Sequence, residues 1–277
     1  MTTVPISEDA DRGVAQSIVV PLDGSPFAER AVPVARTIAR RIGARLMLVT
    51  TDWGDWESGD RKSYLEAIAR QDEDVPTEVA LIDEHPAALA IEHVVNAATG
   101  RLVCMTSHGR GGFRWALLGS VAEQVVRDTH TPMLLVGRHC RVDWPGEFRH
   151  MLVCVDASNV ADPIIPVATR WAKALRLDIR VALVIHPLDV QGATHPDETV
   201  GAIVQRFVAE GLDASPVVLR SSHIAGAIAD FAGTLPATLI AMNTHARSGI
   251  ARMTLGSVAM GAVGLADCPV LLAPGPR

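Results

Sequence analysis

The stretch Ile18-Val-Val-Pro-Leu-Asp-Gly-Ser25 returns 133 residues later as Met151-Leu-Val-Cys-Val-Asp-Ala-Ser158. The register continues from Ala28 to Ala161, Pro33 to Pro166 and Ala35 to Ala168. Farther on, Met105-Thr-Ser-His-Gly-Arg110 returns as Met242-Asn-Thr-His-Ala-Arg247, at an offset of 137. That offset carries Leu118-Gly-Ser-Val-Ala122 onto Leu255-Gly-Ser-Val-Ala259 and Pro132 onto Pro269. Two ungapped blocks that agree in order and nearly in spacing exclude chance. The 277-residue chain is read as a tandem duplication of a unit of roughly 130 residues, a usual size for one domain. The expected division is a first domain over 14–138, a linker over 139–147 and a second domain over 148–275.

Within a half, strands and helices alternate. Ile18 to Leu22 is a short apolar run closed by Asp-Gly-Ser, hence a buried strand. Ser25-Pro26 reads as a helix cap with proline at the first helical position, and Ala28, Ala31, Ala35, Ile38 and Ile42 follow at helical spacing. Pro33 interrupts that spacing and predicts a kink. Strands are expected at 44–51, 77–82, 102–105 and 133–136. Helices are expected at 86–98 and 120–129, with one more around Tyr64, Leu65 and Ile68. The alternation implies an α/β fold: two tandem Rossmann-like domains, each a five-stranded parallel sheet with helices on both faces. Such sheets bind ligands beyond the C-terminal ends of their strands, where strand order reverses. That singles out Asp23 and the loop from Thr106 to Leu118.

Composition narrows the function classes. The chain is 48% hydrophobic, 20% charged and only 4% aromatic, with a formal charge of −6. Aliphatic residues must build the core, and stacking platforms or a general basic surface for nucleic acid are not expected. Mean hydropathy is +0.23, yet no apolar run approaches the ~18–20 residues that span a bilayer. The first sixteen residues carry Glu8, Asp9, Asp11 and Arg12 and do not read as a signal peptide. Cys104, Cys140, Cys154 and Cys268 form no metal-type spacing. Cys104 and Cys154 lie in strand-like runs and read as buried thiols. A reduced, cytoplasmic setting is the expectation.

The loop after the fourth strand reads Thr106-Ser-His-Gly-Arg-Gly-Gly-Phe-Arg-Trp-Ala-Leu-Leu-Gly-Ser120. Its glycines let backbone N–H groups approach a ligand, and Gly119-Ser120 opens a helix whose N-terminus favours an anion. Arg110 and Arg114 add charge. A glycine-rich turn with an ordinary serine cap is the alternative. Neither a P-loop nor a GxGxxG fingerprint is present. Asp23 reads as a contact to a base or ribose, or as a turn residue before Gly-Ser-Pro.

The Val-Pro-Leu-Asp-Gly-Ser start and the Ser-His-Gly-x9-Gly-Ser block, followed by Thr-Pro-Met-Leu-Leu-Val, resemble the universal stress protein family, twice over nearly the whole chain. Members that bind ATP carry Gly-x2-Gly-x9-Gly-[Ser/Thr]. Gly109, Gly119 and Ser120 match it, and Thr106 replaces the first glycine. The resemblance implies ATP, with or without Mg²⁺, as ligand. It implies that Asp23 and backbone near Thr51 contact adenine, and that Gly109, Gly119, Ser120 and Val121 hold phosphate. Pro21, Leu22, Ser107, His108 and Arg110 complete the candidate set. In the second half Asp156, His245, Gly256, Ser257 and Val258 correspond, but Ala157, Asn243 and Ala246 stand where glycines belong, so that site is expected to be weakened or lost.

His108 and His245 occupy matching positions and read as a base or phosphate contact, or as loop anchors; the latter is preferred because no partner carboxylate is identifiable. Asp52, Asp55, Glu57 and Asp60 form an acidic cluster after the second strand, read as a solvated loop, with reach to a nucleotide-bound metal as the alternative. No nucleophile–base pair or metal-ligand motif stands out, so catalysis is not expected. The leading reading is a regulatory ATP-binding protein with slow or no turnover. A nucleotide-independent scaffold for a protein partner and a slow ATPase are the alternatives. The apolar closing strands, Pro132-Met-Leu-Leu-Val136 and Pro269-Val-Leu-Leu-Ala273, would leave sticky edges. In the resembling family such strands pair between subunits. Here the two halves of one chain are expected to pair, and a homodimer of the whole chain remains compatible.

Overall fold

The computed structural model describes residues 14–51, 58–82, 86–109, 118–129, 131–141, 146–156, 163–188, 196–244 and 256–273. In the first half the strands are β1 (Ser17–Pro21), β2 (Arg45–Thr51), β3 (Thr77–Ile82), β4 (Arg101–Thr106) and β5 (Met133–Val136). The helices are α1 (Ala31–Ile42), α2 (Ser58–Ala69), α3 (Ala87–Asn96) and α4 (Ser120–Asp128). The second half repeats the order with β6 (His150–Val155), α5 (Ile164–Leu175), β7 (Asp178–Ile185), α6 (Pro196–Ala209) and β8 (Ala214–Arg220). It ends with α7 (Ile224–Gly233), β9 (Thr238–Asn243), α8 (Ser257–Leu265) and β10 (Val270–Ala273).

Ten strands form one sheet in the order β3-β2-β1-β4-β5-β10-β9-β6-β7-β8. Every neighbouring pair is parallel except β5 and β10, which run antiparallel with Leu134 opposite Leu271. The expected intrachain pairing of closing strands is therefore present. All eight residues of β5 and β10 are buried, so the join is core, not a polar seam. Helices α1, α2, α5 and α6 cover one face around Ile38, Leu65, Trp171 and Phe207. Helices α3, α4, α7 and α8 cover the other around Ile91, Val125, Ile228 and Val263. Each apolar layer runs across both halves without a break.

Pro33 produces a correction. The α-helix starts at Ala31, after a 3₁₀ turn over Ala28–Arg30, so Pro33 is its third residue. First-turn N–H groups have no acceptor within the helix, so proline removes nothing there and no kink is needed. Pro166 holds the same place in α5. Ser25 caps the preceding turn, its Oγ accepting the Ala28 N–H at 3.1 Å.

The junction is packed where it is described. Cys140 is buried, the Arg141 N–H donates to the Asp267 carbonyl at 2.9 Å, and Arg30 donates to the carbonyls of Arg138 and Cys140. All four cysteines are free thiols. Cys154 is only half-buried, because β6 ends in the partly open C-terminal edge of the sheet.

Candidate functional site

Strand order reverses at β1, which has β2 on one side and β4 on the other. Asp23, just past β1, and Ser107 to Gly109, just past β4, therefore meet at the crevice between two diverging chain directions. The Asp23 carboxylate is held from one side. Its Oδ1 accepts the Ser25 N–H at 3.0 Å and the Ser25 hydroxyl at 2.6 Å, in a turn that Gly24 permits at φ +76°. Its Oδ2 faces Gly109: a Cβ there would lie 2.4 Å from it. Glycine is needed at 109 because Asp23 is close, since the backbone there is not left-handed.

The loop is anchored at its base. The buried Ser107 donates its N–H to the Val136 carbonyl at 3.0 Å and accepts the Gly119 N–H at 2.7 Å. This bond closes the segment that starts at β4 and brings Gly109 beside the N-terminus of α4. Gly119 is extended (φ −74°, ψ 153°) and a Cβ on it would crowd the His108 Cα and the Ser107 carbonyl at 3.3 Å. Ser120 and Val121 are exposed. The first N–H groups of α4 lack helical acceptors and carry the positive end of its dipole. A phosphate fits this donor set.

Thr106, which stands in place of a loop glycine, is buried and donates its hydroxyl to the His108 carbonyl at 2.7 Å. It tightens the turn by a side-chain bond where a glycine would do so by backbone freedom. His108 is also buried. Its Nδ1 is bonded to the Ser107 hydroxyl at 2.9 Å, and its ring stands edge-on to Phe27 with centroids 6.4 Å apart. Arg30 also lies over the Phe27 ring, 5.2 Å from its centroid, and reaches the junction carbonyls. His108 is thus built into the support of the loop and linked through Phe27 and Arg30 to the join between halves.

The remaining candidates are placed unevenly. Pro21 is half-buried beside Asp23. Leu22 turns into the core, its N–H donating to the Val49 carbonyl at 2.8 Å. Thr51 ends β2 opposite Ile82, on the side of β1 away from β4. Asp60 is exposed on the first turn of α2. Arg110, Arg114, Asp52, Asp55, Glu57, Ala157, His245 and Ala246 lie outside the described residues. Among the described residues, no three His, Cys, Asp or Glu side chains gather as a metal-ligand set.

Tyr64 and Glu29 stand close to the Asp23 turn; the sequence reading names Tyr64 only within an expected helix and does not single out Glu29. Tyr64, on α2, donates its hydroxyl to the Glu29 Oε1 at 3.1 Å. Burial first, then the charge and hydrogen bond of Glu29 and the charge of Asp23, push that hydroxyl well above the ordinary tyrosine range; a backbone hydrogen bond from Gly24 opposes them. The only hint in the sequence is that this sole tyrosine interrupts a polar, charged segment.

The second half repeats the loop base. Gly256 donates to the Thr244 carbonyl at 2.8 Å and Thr244 to the Ala273 carbonyl at 3.0 Å. Gly256 and the exposed Ser257 open α8 as Gly119 and Ser120 open α4, with Val258 half-buried behind them. Asp156 follows β6 as Asp23 follows β1. Among the described residues, the base of the loop and the start of the following helix are therefore duplicated.

Among the described residues, no helix is long and apolar enough to cross a membrane. Comparison with known proteins agrees with the duplicated fold. A universal stress protein from Mycolicibacterium smegmatis is 34% identical over 134 residues, 43% of this chain and 45% of that protein. Universal stress protein Rv2005c of Mycobacterium tuberculosis is 31% identical over 134 residues, 43% of this chain and 44% of its own length. The matched stretch thus spans less than half of these relatives. The crystal structure of a universal stress protein from Archaeoglobus fulgidus superimposes with a TM-score of 0.72 at 19% identity, covering 95% of this chain and 98% of that one. The sequence pattern of the universal stress protein family matches twice, over residues 15–137 and 147–274, and the chain belongs to that family.

Proposed function

We propose that the first half binds an adenine nucleotide, ATP, as a regulatory ligand and turns it over slowly or not at all. The observation that carries this reading is the meeting of Asp23 with Gly109 and the Gly119-Ser120 helix start at the strand-order reversal. A carboxylate suits the donors of a nucleoside, and the glycine-lined helix N-terminus suits its phosphates. The two are adjacent, as a nucleoside phosphate requires. Binding would act on the Thr106–Leu118 loop, whose anchor residue His108 is linked to the domain junction through Phe27 and Arg30. The second half keeps the frame but replaces the glycines, so it binds more weakly or not at all. A reduced, cytoplasmic setting suits the four free thiols.

The test is mass spectrometry of nucleotide released on denaturing the purified protein, followed by calorimetric titration with ATP. Released adenine nucleotide and a single strong site are expected. No binding at millimolar ATP would leave the scaffold reading instead. Steady-state hydrolysis should fall far below the ~1–10³ s⁻¹ of ordinary enzymes. Several turnovers per second, abolished by Asp23→Ala, would make the protein a catalyst.

A further inference from the structure

We propose that Tyr64 and Glu29 complete the nucleoside end of the first-half site and make it selective for a ribonucleoside that donates hydrogen bonds and bears no anion there. The inference rests on the nucleotide-binding reading above and concerns what lies opposite the phosphate end.

Helix α2 follows β2 and runs back across the sheet, so its first turns lie over the C-terminal strand ends where Asp23 stands. Tyr64 is half-buried there. Its hydroxyl bonds Glu29, which sits in the 3₁₀ turn six residues after Asp23, and the Gly24 backbone bonds it in turn. One side chain therefore ties α2 to the loop that carries Asp23. Ser25 ties the same loop from within through two bonds to Asp23 Oδ1. The turn that carries Asp23 is thus tied both to α2 and within itself, and Asp23 Oδ2 faces Gly109.

Two carboxylates, Asp23 and Glu29, thus share the field of one phenol. Such an arrangement accepts hydrogen bonds from ribose hydroxyls and exocyclic amines. It repels any added negative charge, and in a partly desolvated site that repulsion is poorly screened. The phosphate end, with helix N–H groups and glycines, has the opposite preference. The site therefore has polarity: anion at α4, donors at Tyr64 and Glu29.

The chain's single tyrosine gives a direct reporter. The intact protein, labelled with ¹³C at the tyrosine ring carbon bearing the hydroxyl, is titrated with ADP and with ADP carrying an added phosphate on its ribose. Calorimetry runs in parallel on wild type, Tyr64→Phe and Glu29→Gln. ADP should shift the tyrosine signal. The ribose-phosphorylated ligand should bind wild type on the order of tenfold more weakly than ADP, and Glu29→Gln should narrow that gap. Tyr64→Phe should weaken ADP on the order of tenfold while the protein stays folded by circular dichroism. ADP bound with an unmoved tyrosine signal, or an equal affinity for both ligands, or a gap unchanged in Glu29→Gln, overturns this inference and leaves nucleotide binding standing. Failure of every nucleotide to bind overturns both.

Discussion

Leu134 lies opposite Leu271, its own counterpart in the repeat. On either side, Leu135 faces Val270, the counterpart of Met133, and Met133 faces Leu272, the counterpart of Leu135, so the pairing is symmetric about the central leucines. A surface that pairs with its own copy in this way is isologous, the relation found across a two-fold dimer. The chain has placed that relation inside one molecule. The sheet edges that single domains would leave open at β5 and β10 close against each other.

Leu135→Asp tests what this join contributes. Leu135 is fully buried among the apolar residues of the join, and a carboxylate there would be stripped of water. The cost should be about 4 kcal/mol or more, and it should fall on the join. Wild type is expected to unfold in one calorimetric transition because both apolar layers span the halves. The variant should show two. A single, unshifted transition would mean that the halves are stable without the β5–β10 pairing.

Gly137 tests the same join from the side. A Cβ at this position would lie 1.9 Å from the Val263 carbonyl oxygen of α8, a backbone atom that cannot rotate away. Gly137→Ala should destabilise by about 1–3 kcal/mol through overpacking. Urea unfolding measures this, and ATP affinity should hold in buffer. Unchanged stability would mean that α8 shifts freely against the first half.

How much of this was legible in the sequence depends on the kind of interaction. The duplication and the aliphatic runs located the strands, and the bounds of β3 and β5 agree with expectation at 77–82 and 133–136. Apolarity of the two closing strands foretold their pairing, since exposure would be costly. Pro33 misled because Ala28 to Ile42 fits helical spacing throughout, and only backbone geometry separates the 3₁₀ turn from the helix that follows. The sequence marks Tyr64 only as part of a helix, because its partner, Glu29, is distant in sequence and met only through the packing of α2. The need for glycine at 109 was visible as a motif, while its cause, the position of Asp23 Oδ2, was not.

The buried thiols set an alkaline limit. Burial pushes the Cys140 thiol up to about 12, and pushes Cys104 and Cys268 further. In the unfolded chain these groups ionise near ~8.5. Their contribution to stability is complete below that value and is lost as pH rises toward the folded-state values. The loss amounts to about 1.4 kcal/mol per pH unit for each thiol within that window. Urea midpoints should therefore fall between pH 8.5 and pH 11, and Cys140→Ala should reduce the slope. A slope unaltered by that substitution would show that the thiol ionises freely in the native state.

Gly109→Ala separates function from stability. The added methyl meets the Asp23 carboxylate, not backbone, so the side chain must yield. Asp23 is tethered through Ser25 by bonds of 3.0 and 2.6 Å, and yielding breaks or bends them. Gly109 itself is exposed and its backbone is not left-handed, so folding should change by only about 0.5 kcal/mol. ATP affinity should drop on the order of tenfold or more, because the carboxylate leaves the position set by Ser25 and the methyl stands where phosphate approaches the loop. Calorimetry with ATP beside a thermal melt reads both quantities on one sample. Lost affinity with an unchanged melt supports Asp23 and Gly109 as two sides of one site. Full affinity in the variant would place the nucleotide elsewhere, or show that it needs neither residue.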